Sequence, residues 1–254
     1  MSISAHLIYM LCVALAAYTQ SITGFAFGLV LLGLIGVMEL VPLADAANAS
    51  SILVIVNALV YLKHTTPPVH WPVLRLTLPS SFIGVFLGIA MLSWLSGNSL
   101  QLLRALLGTA IVVCAFLLLF QAQALKRRSS SGSFLLYGGV SGVMGGLFAS
   151  SGPPMVYHLY RQPFEPEVIR QTLLLIFAAN ASLRLVTVLS IGELSIQALI
   201  LGAEAIPVVF IVTWWQAKYP LKVSAHVIKR VVSTLLLIAG TALIWSAAKR
   251  LLFL

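Results

Sequence analysis

Two short polar interruptions split otherwise apolar stretches of this chain, and they hold the residue types best suited to chemistry. The first covers residues 20–28, with sequence QSITGFAFG, and the second covers residues 149–154, with sequence ASSGPP. In both, hydroxyl side chains precede a glycine, and in the second prolines follow, a pattern typical of a helix start. Because a helix start exposes N–H groups and about half a positive charge, these interruptions predict a binding site for a small anion.

Polar side chains within the neighbouring apolar stretches could complete such a site. Asn57 and Asn180 occupy similar places in the two halves, and Arg184 shares a helix face with Asn180 because it follows four residues later. Arg184 either completes the anion site or lies near the outer interface. Glu204 is a candidate proton carrier for coupling, or alternatively a partner of Arg184. The predicted substrate-binding residues are Gln20, Ser21, Thr23, Gly24, Phe25, Asn57, Ser150, Ser151, Gly152, Pro153, Asn180 and Arg184.

The composition identifies an integral membrane protein. Of 254 residues, 60% are hydrophobic and only 8% are charged, with a mean hydropathy of +1.05. A soluble domain carries about 25% charged residues, so a soluble enzyme, a disordered chain and a secreted disulfide scaffold are excluded. The net charge of +9 comes from short basic clusters between apolar runs. Such clusters set membrane orientation, so we expect a lipid bilayer and no nucleic acid as partner.

Apolar stretches long enough to cross a bilayer predict three full spans in each half. Each trio follows an interrupted stretch, at residues 5–38 and 134–160, and the second piece of the later stretch is too short to span. Each interrupted stretch either enters and returns to the same face or crosses once. The predicted spans are residues 41–62, 72–95, 100–120, 168–190, 195–215 and 223–245.

The two halves resemble copies at an offset of about 125 residues, which superposes the two interruptions and brings Pro79 close to Pro207. We therefore predict an N-terminal repeat at 1–125, a basic linker at 126–133 and a C-terminal repeat at 134–254. If the linker is cytoplasmic and the interrupted stretches are re-entrant, the basic loops at 63–64 and 218–222 are also inside. The predicted fold is an all-α polytopic membrane protein with two inverted-topology repeats, each a broken or re-entrant hairpin plus three transmembrane helices.

The interruptions also carry a family resemblance. Residues 23–29, TGFAFGL, and residues 141–154, SGVMGGLFASSGPP, resemble the paired signatures of the TauE/SafE family of membrane transporters. Asn180 and Arg184 are similar to the pattern of that family. The resemblance implies export of sulfite, sulfonates and related sulfur-containing anions across the bacterial inner membrane.

The sequence thus predicts a secondary transporter that works by alternating access around a site at the two broken helices. We expect a small anionic substrate, no cofactor and no metal, and a homodimer is compatible with a protein of this kind. Two other functions stay open. A passive anion channel would share the donor-lined breaks, whereas an intramembrane serine protease is suggested by the GVSG sequence at 139–142, with Ser141 as nucleophile.

Overall fold

The computed structural model describes residues 3–64, 69–119, 125–219 and 225–252. The regular structure of these ranges is entirely helical. The helices are α1 (Ile3–Thr23), α2 (Phe27–Met38), α3 (Leu43–His64), α4 (Trp71–Asn98), α5 (Leu100–Leu119), α6 (Ser131–Phe148), α7 (Gly152–Tyr160), α8 (Pro166–Ser190), α9 (Ile196–Lys218) and α10 (Ala225–Leu252).

Seven of the described helices have the length and apolar composition needed to cross a bilayer: α1, α3, α4, α5, α8, α9 and α10. All of them except α1 agree with the predicted spans to within a few residues, apart from the end of α10. The agreement is expected because a bilayer-spanning helix needs an uninterrupted apolar stretch. The protein is therefore an all-α polytopic membrane protein. Helix α6 begins at Ser131, within the predicted linker.

Helices α6 and α7 form a hairpin whose second arm is too short to cross a bilayer. At about 14 Å, the nine residues of α7 fall well short of a bilayer core of about 30 Å. His158, near the end of α7, stacks on Tyr137 near the start of α6 with a centroid distance of 4.4 Å. The same histidine meets Phe134 edge-on at 4.6 Å. Both ends of this hairpin therefore lie on one face of the molecule.

Helices α1 and α2 form the corresponding hairpin of the first half. Tyr9, in the first turns of α1, donates a hydrogen bond to the carbonyl oxygen of Leu201, near the start of α9, at 3.2 Å. The residue before α9, Ser195, donates to Asp45 at the start of α3 at 2.6 Å. Since α3 directly follows α2, the start of α1 and the end of α2 lie on the same face.

The two hairpins enter from opposite faces. The linker lies beside the end of α7, where the N–H of Leu125 donates to the carbonyl of Arg161 at 2.7 Å. On the other face, Ser93 of α4 and Asn48 of α3 both bind Glu193, in the loop between α8 and α9. By the positive-inside rule we expect the face with the basic linker to be cytoplasmic. This is the placement that inverted repeats require, although the duplication itself stays a prediction.

The long helices of one half pack against the hairpin of the other. Helix α4 packs on α6 and α8, α9 packs on α1 and α3, and α5 packs on α10. The α4–α6 contact is made by small residues. A Cβ atom added at Gly142 would overlap the carbonyl oxygen of Ser81, and one added at Gly84 would overlap that of Gly139. Glycine thus lets the two backbones touch.

Candidate functional site

The two breaks contact each other in the interior of the protein. A Cβ atom added at Gly28, in the first turn of α2, would lie 2.7 Å from the carbonyl oxygen of Ala149 in the second break. One added at Gly152, the first residue of α7, would lie 3.1 Å from the ring of Phe25 in the first break. Two segments more than 120 residues apart in the sequence are therefore joined, as the site hypothesis requires.

Left-handed backbone turns reverse the chain at both breaks. Gly24 and Ala26 have φ angles of 80° and 77° in the first break, and Ala149 has a φ of 50° in the second. Glycine adopts this conformation freely, whereas alanine pays about 1–2 kcal/mol for it. The interruptions are thus true ends of helices rather than bends within them.

The start of each short helix is left without a side-chain cap. Ala26 is the N-cap of α2 and Ser151 is the N-cap of α7, and neither side chain accepts a hydrogen bond from its helix. The first N–H groups of a helix have no acceptor within it, so both starts keep donors for a ligand. Pro153 contributes none, because proline lacks an N–H.

The predicted caps of α2 are wrong. Ser21 and Thr23 belong to the last turn of α1, because Gly24 and Ala26 insert two left-handed residues before α2 begins. The side chain of Thr23 lies outside the described part of the structure. The hydroxyl of Ser21 is buried and has no hydrogen-bond partner among the described residues. Ser21 therefore stays a candidate ligand, although not as a helix cap.

Asn180 holds the second break in place. Its side-chain amide donates to the hydroxyl of Ser151 at 3.0 Å and to the hydroxyl of Ser81, on α4, at 2.7 Å. Ser141, on α6, donates to the backbone carbonyl of Ser151. The side chain of Asn180 is 2% exposed. The second break is thus fixed by polar groups from α4, α6 and α8 at once.

Asn57 has the same role beside the first break. It accepts a hydrogen bond from the side chain of Gln20 at 3.1 Å and donates to Thr213, on α9, at 2.8 Å. Gln20 lies in the last turns of α1, one turn before the left-handed Gly24. Each asparagine thus connects the hairpin of its own half to a crossing helix of the other half, α9 in one case and α4 in the other.

A small cavity lies between the breaks. Its volume is about 10 Å³, close to the room that one water molecule needs. An anion with three oxygens is larger, so the breaks must separate to admit it. Seven of its lining residues belong to the breaks and helix starts, namely Ala26, Phe27, Gly28, Ala149, Ser150, Ser151 and Gly152, and the others are Gln20, Val54, Gly145, Phe177 and Ala181.

Arg184 is fully buried one turn beyond Asn180 on α8. Its guanidinium donates to the carbonyl of Gly146, just before the second break, at 2.9 Å and to the side chains of Asn48 and Ser51 on α3 at 2.8 and 3.0 Å. Its Nη2 atom has no partner among the described residues. Arg184 therefore ties α3 and α6 to α8 and keeps one donor unused, but it does not line the cavity.

Comparison with known proteins identifies the family. Residues 9–243 match the family described as "Sulfite exporter TauE/SafE". The chain belongs to the TauE/SafE family. It is 29% identical over 230 residues, 91% of this chain and 90% of the relative, to a protein of Cupriavidus necator named "Probable sulfite/organosulfonate exporter TauE". No solved structure matches. This TauE/SafE protein is therefore a multi-pass transporter of the bacterial inner membrane and not an enzyme.

Glu204 lies away from the breaks of this TauE/SafE protein. Its carboxylate pairs with His6, on α1, at 3.3 Å, and 40% of its side chain is exposed. The alternative that Glu204 pairs with Arg184 is wrong, because the hydrogen bonds of Arg184 go to α3 and α6. The structure does not bring Glu204 to the cavity, so direct contact between it and a bound anion is not expected.

The sequence reasoning missed several residues of the TauE/SafE site. Ser81 and Thr213, the partners of the two asparagines, follow the prolines of α4 and α9 by two and six residues. Neither position was distinguishable in the sequence, because an isolated hydroxyl residue in an apolar span looks the same whether or not it contacts another helix. Arg170, which packs against Gly24, was also missed. Ser141 was noticed, but as a protease nucleophile, whereas its hydroxyl binds a backbone carbonyl.

Proposed function

We propose that this protein exports sulfite or small organosulfonates from the cytoplasm and binds them where the two breaks meet. The observation that carries the proposal is the contact between the breaks, Gly28 against Ala149 and Gly152 against Phe25, at two uncapped helix starts. The substrate class follows the printed name of the similar protein from Cupriavidus necator, which covers nearly the whole chain.

The donors at the junction suit an anion with three oxygens. The starts of α2 and α7 supply N–H groups and two partial positive charges without a formal cation. Ser150 and Ser151 add hydroxyls at the cavity wall, and Gln20 adds an amide. Phe25, whose ring touches Gly152, provides an apolar contact for the carbon part of a sulfonate. Arg184 adds positive potential one turn beyond Asn180.

Alternating access is consistent with the way the hairpins are arranged. One hairpin enters from each face and their tips enclose the cavity between them. Movement of either hairpin away from the other would open the cavity toward one face only, which is the usual behaviour of transporters with inverted repeats. Glu204 could couple this movement to protons through its contact with His6 on α1, since α1 leads directly into the first break.

The experiment combines binding and transport. Purified protein is titrated calorimetrically with sulfite, taurine, sulfoacetate and thiosulfate, and sulfite efflux is then measured from proteoliposomes. We expect saturable binding of at least one of these compounds, with Ser151→Ala raising the Kd about tenfold through loss of a buried hydrogen-bonding group. Ser190→Ala is the matched control, because Ser190 lies on α8 but is exposed and bonds only to its own helix.

Two outcomes would overturn the proposal. Binding of none of the four compounds, with folding intact, would exclude the proposed substrate class. Efflux that rises linearly with sulfite concentration and ignores the proton gradient would favour a passive channel over a carrier, because a carrier saturates when its single site is filled.

A further inference from the structure

We propose that Arg170 binds the anionic substrate first, at the cytoplasmic entrance of this site. The inference rests on the proposed function, since it names the residue that an anion meets before it reaches the breaks. It is carried by the position of Arg170 on α8, its contact with the first break and the way its charge is held.

Arg170 lies on the face of α8 that lines the cavity. Phe177 and Ala181, both cavity-lining, follow it by seven and eleven residues, which returns them to the same side of a helix with 3.6 residues per turn. Arg184 follows by fourteen residues and completes the same row, about 21 Å further along the helix. Helix α8 therefore places one arginine on the cytoplasmic side of the cavity and another beyond it.

The stem of Arg170 packs against the first break. A Cβ atom added at Gly24 would lie 2.9 Å from Cγ of Arg170. Gly24 is a residue with positive φ, and it directly precedes Phe25, whose ring touches Gly152 in the second break. Arg170 is thus one residue removed from the contact between the breaks.

The guanidinium of Arg170 is held by an aromatic ring. It lies over Tyr61, near the cytoplasmic end of α3, with its Cζ atom 4.5 Å from the ring centroid. Its Nε atom is buried and has no hydrogen-bond partner among the described residues. A cation–π contact positions the charge without neutralising it, so the edge of the guanidinium keeps its capacity for an oxyanion.

Glu167 is the acidic residue nearest to Arg170 along α8, and its carboxylate and the Arg170 guanidinium both contact the Tyr61 hydroxyl. Glu167, one turn before Arg170, accepts a hydrogen bond from Gln171 at 2.6 Å. In the described ranges, the carboxylates of all ion pairs are those of Glu39 and Glu204. A planar guanidinium without an ion-pair partner matches two oxygens of a sulfite or sulfonate group at once. The geometry therefore fits capture of the anion from the cytoplasm and its release toward the helix starts.

If Arg170 only set the orientation of the protein in the membrane, a different result would be expected. Arginines at cytoplasmic helix ends orient membrane proteins whatever they contact. Arg161 provides the matched control, because it lies on the same face and also covers a tyrosine ring, that of Tyr157, at 5.4 Å. It also donates a hydrogen bond to the hydroxyl of Tyr157. If only the positive charge on this face mattered, replacing Arg161 and replacing Arg170 would change substrate binding equally.

The test compares Arg170→Gln, Arg170→Lys and Arg161→Gln by titration with sulfite and taurine and by sulfite efflux. We expect Arg170→Gln to raise the Kd about tenfold or more, because a charge-assisted hydrogen bond to the anion is lost. Arg170→Lys should be intermediate, since lysine keeps the charge but loses the bidentate geometry. Arg161→Gln should bind as the wild type does.

Variants of Tyr61 keep the test valid if Arg170→Gln does not fold. Tyr61→Phe retains the ring and loses only the hydroxyl contact, so it should bind sulfite more tightly than Tyr61→Leu, in which the guanidinium is no longer positioned. Wild-type affinity in both Arg170→Gln and Tyr61→Leu, or equal losses in Arg161→Gln and Arg170→Gln, would overturn the role of Arg170 alone. Failure of the wild-type protein to bind any of the ligands would instead overturn the proposed function.

Discussion

The two breaks form one proposed binding site, but their conformations are stabilised in different ways. The first is shaped by backbone, with left-handed residues at Gly24 and Ala26 on either side of Phe25. The second has one left-handed residue, Ala149, and two serines follow it. The hydroxyl and carbonyl groups of Ser151 are hydrogen-bonded to side chains on α8 and α6. One break is defined by chain conformation, the other by a polar network.

The hairpins that carry the breaks also differ in packing. The second hairpin meets α4 through glycines, so that backbone touches backbone along α6. The first hairpin meets α9 through side chains, such as Tyr9, which bonds to the carbonyl of Leu201. Close backbone packing leaves little room for adjustment. We therefore expect α4 and the second hairpin to move as one unit, and the first hairpin to adapt its position more readily.

The largest effect is expected at the α4–α6 contact. Gly142→Val would force a branched side chain into the carbonyl of Ser81, and we expect the melting temperature in detergent to fall by about 10 °C or more. Gly139→Ala is the control, since its nearest neighbour, the carbonyl of Ser80, is 3.8 Å away. If Gly142→Val is as stable as Gly139→Ala, the two hairpins do not differ in rigidity.

An added side chain at the contact between the breaks should weaken transport while preserving the fold. In Gly28→Ala the new Cβ would press on the carbonyl of Ala149 from 2.7 Å. We expect the Kd for sulfite to rise about tenfold, corresponding to an overpacking cost of 1–3 kcal/mol, and efflux to fall accordingly. Gly132→Ala, with no atom within 4 Å of the added carbon, should behave as wild type. Normal binding by Gly28→Ala would mean that the breaks are not the site.

Variants of the two asparagines compare the contributions of the two breaks to sulfite binding more directly. Asn180→Leu removes the side chain that bonds to Ser151 within the second break, whereas Asn57→Leu removes one that bonds to Gln20, a turn before Gly24, and to Thr213. We expect weaker sulfite binding in both variants, with a loss of about tenfold for Asn180→Leu and a smaller loss for Asn57→Leu. The reverse order in calorimetric titrations would show that the first break provides the more important ligands.

The smallest effect is expected at Glu204. Because it lies away from the breaks and pairs with His6, Glu204→Gln should change the Kd for sulfite by less than about twofold. As a proton carrier it should nevertheless be needed for the pH dependence of efflux, which the variant should lose. If sulfite efflux by Glu204→Gln equals that of the wild type at every pH tested, the proton-carrier hypothesis is wrong.

Residues that act through local chain properties were predictable, and residues that act through contacts were not. The breaks at Gly24 and Gly152 could be predicted because clusters of glycine, proline and hydroxyl residues favour helix ends. The role of Ser81 could not, because an isolated serine in an apolar span looks the same whether it faces lipid or an asparagine on another helix. The partner of Glu204 was predicted wrongly for the same reason.

The sequence by itself determined that this chain is a membrane protein, where its long helices lie and where two of them are interrupted, since these follow from hydrophobicity and backbone preference along the chain. Only the tertiary structure decided that the interruptions touch, that Asn57 and Asn180 reach across to the other half, and that Arg170 lies against the first break. Such contacts depend on how helices cross, which is set by side-chain packing between segments more than a hundred residues apart.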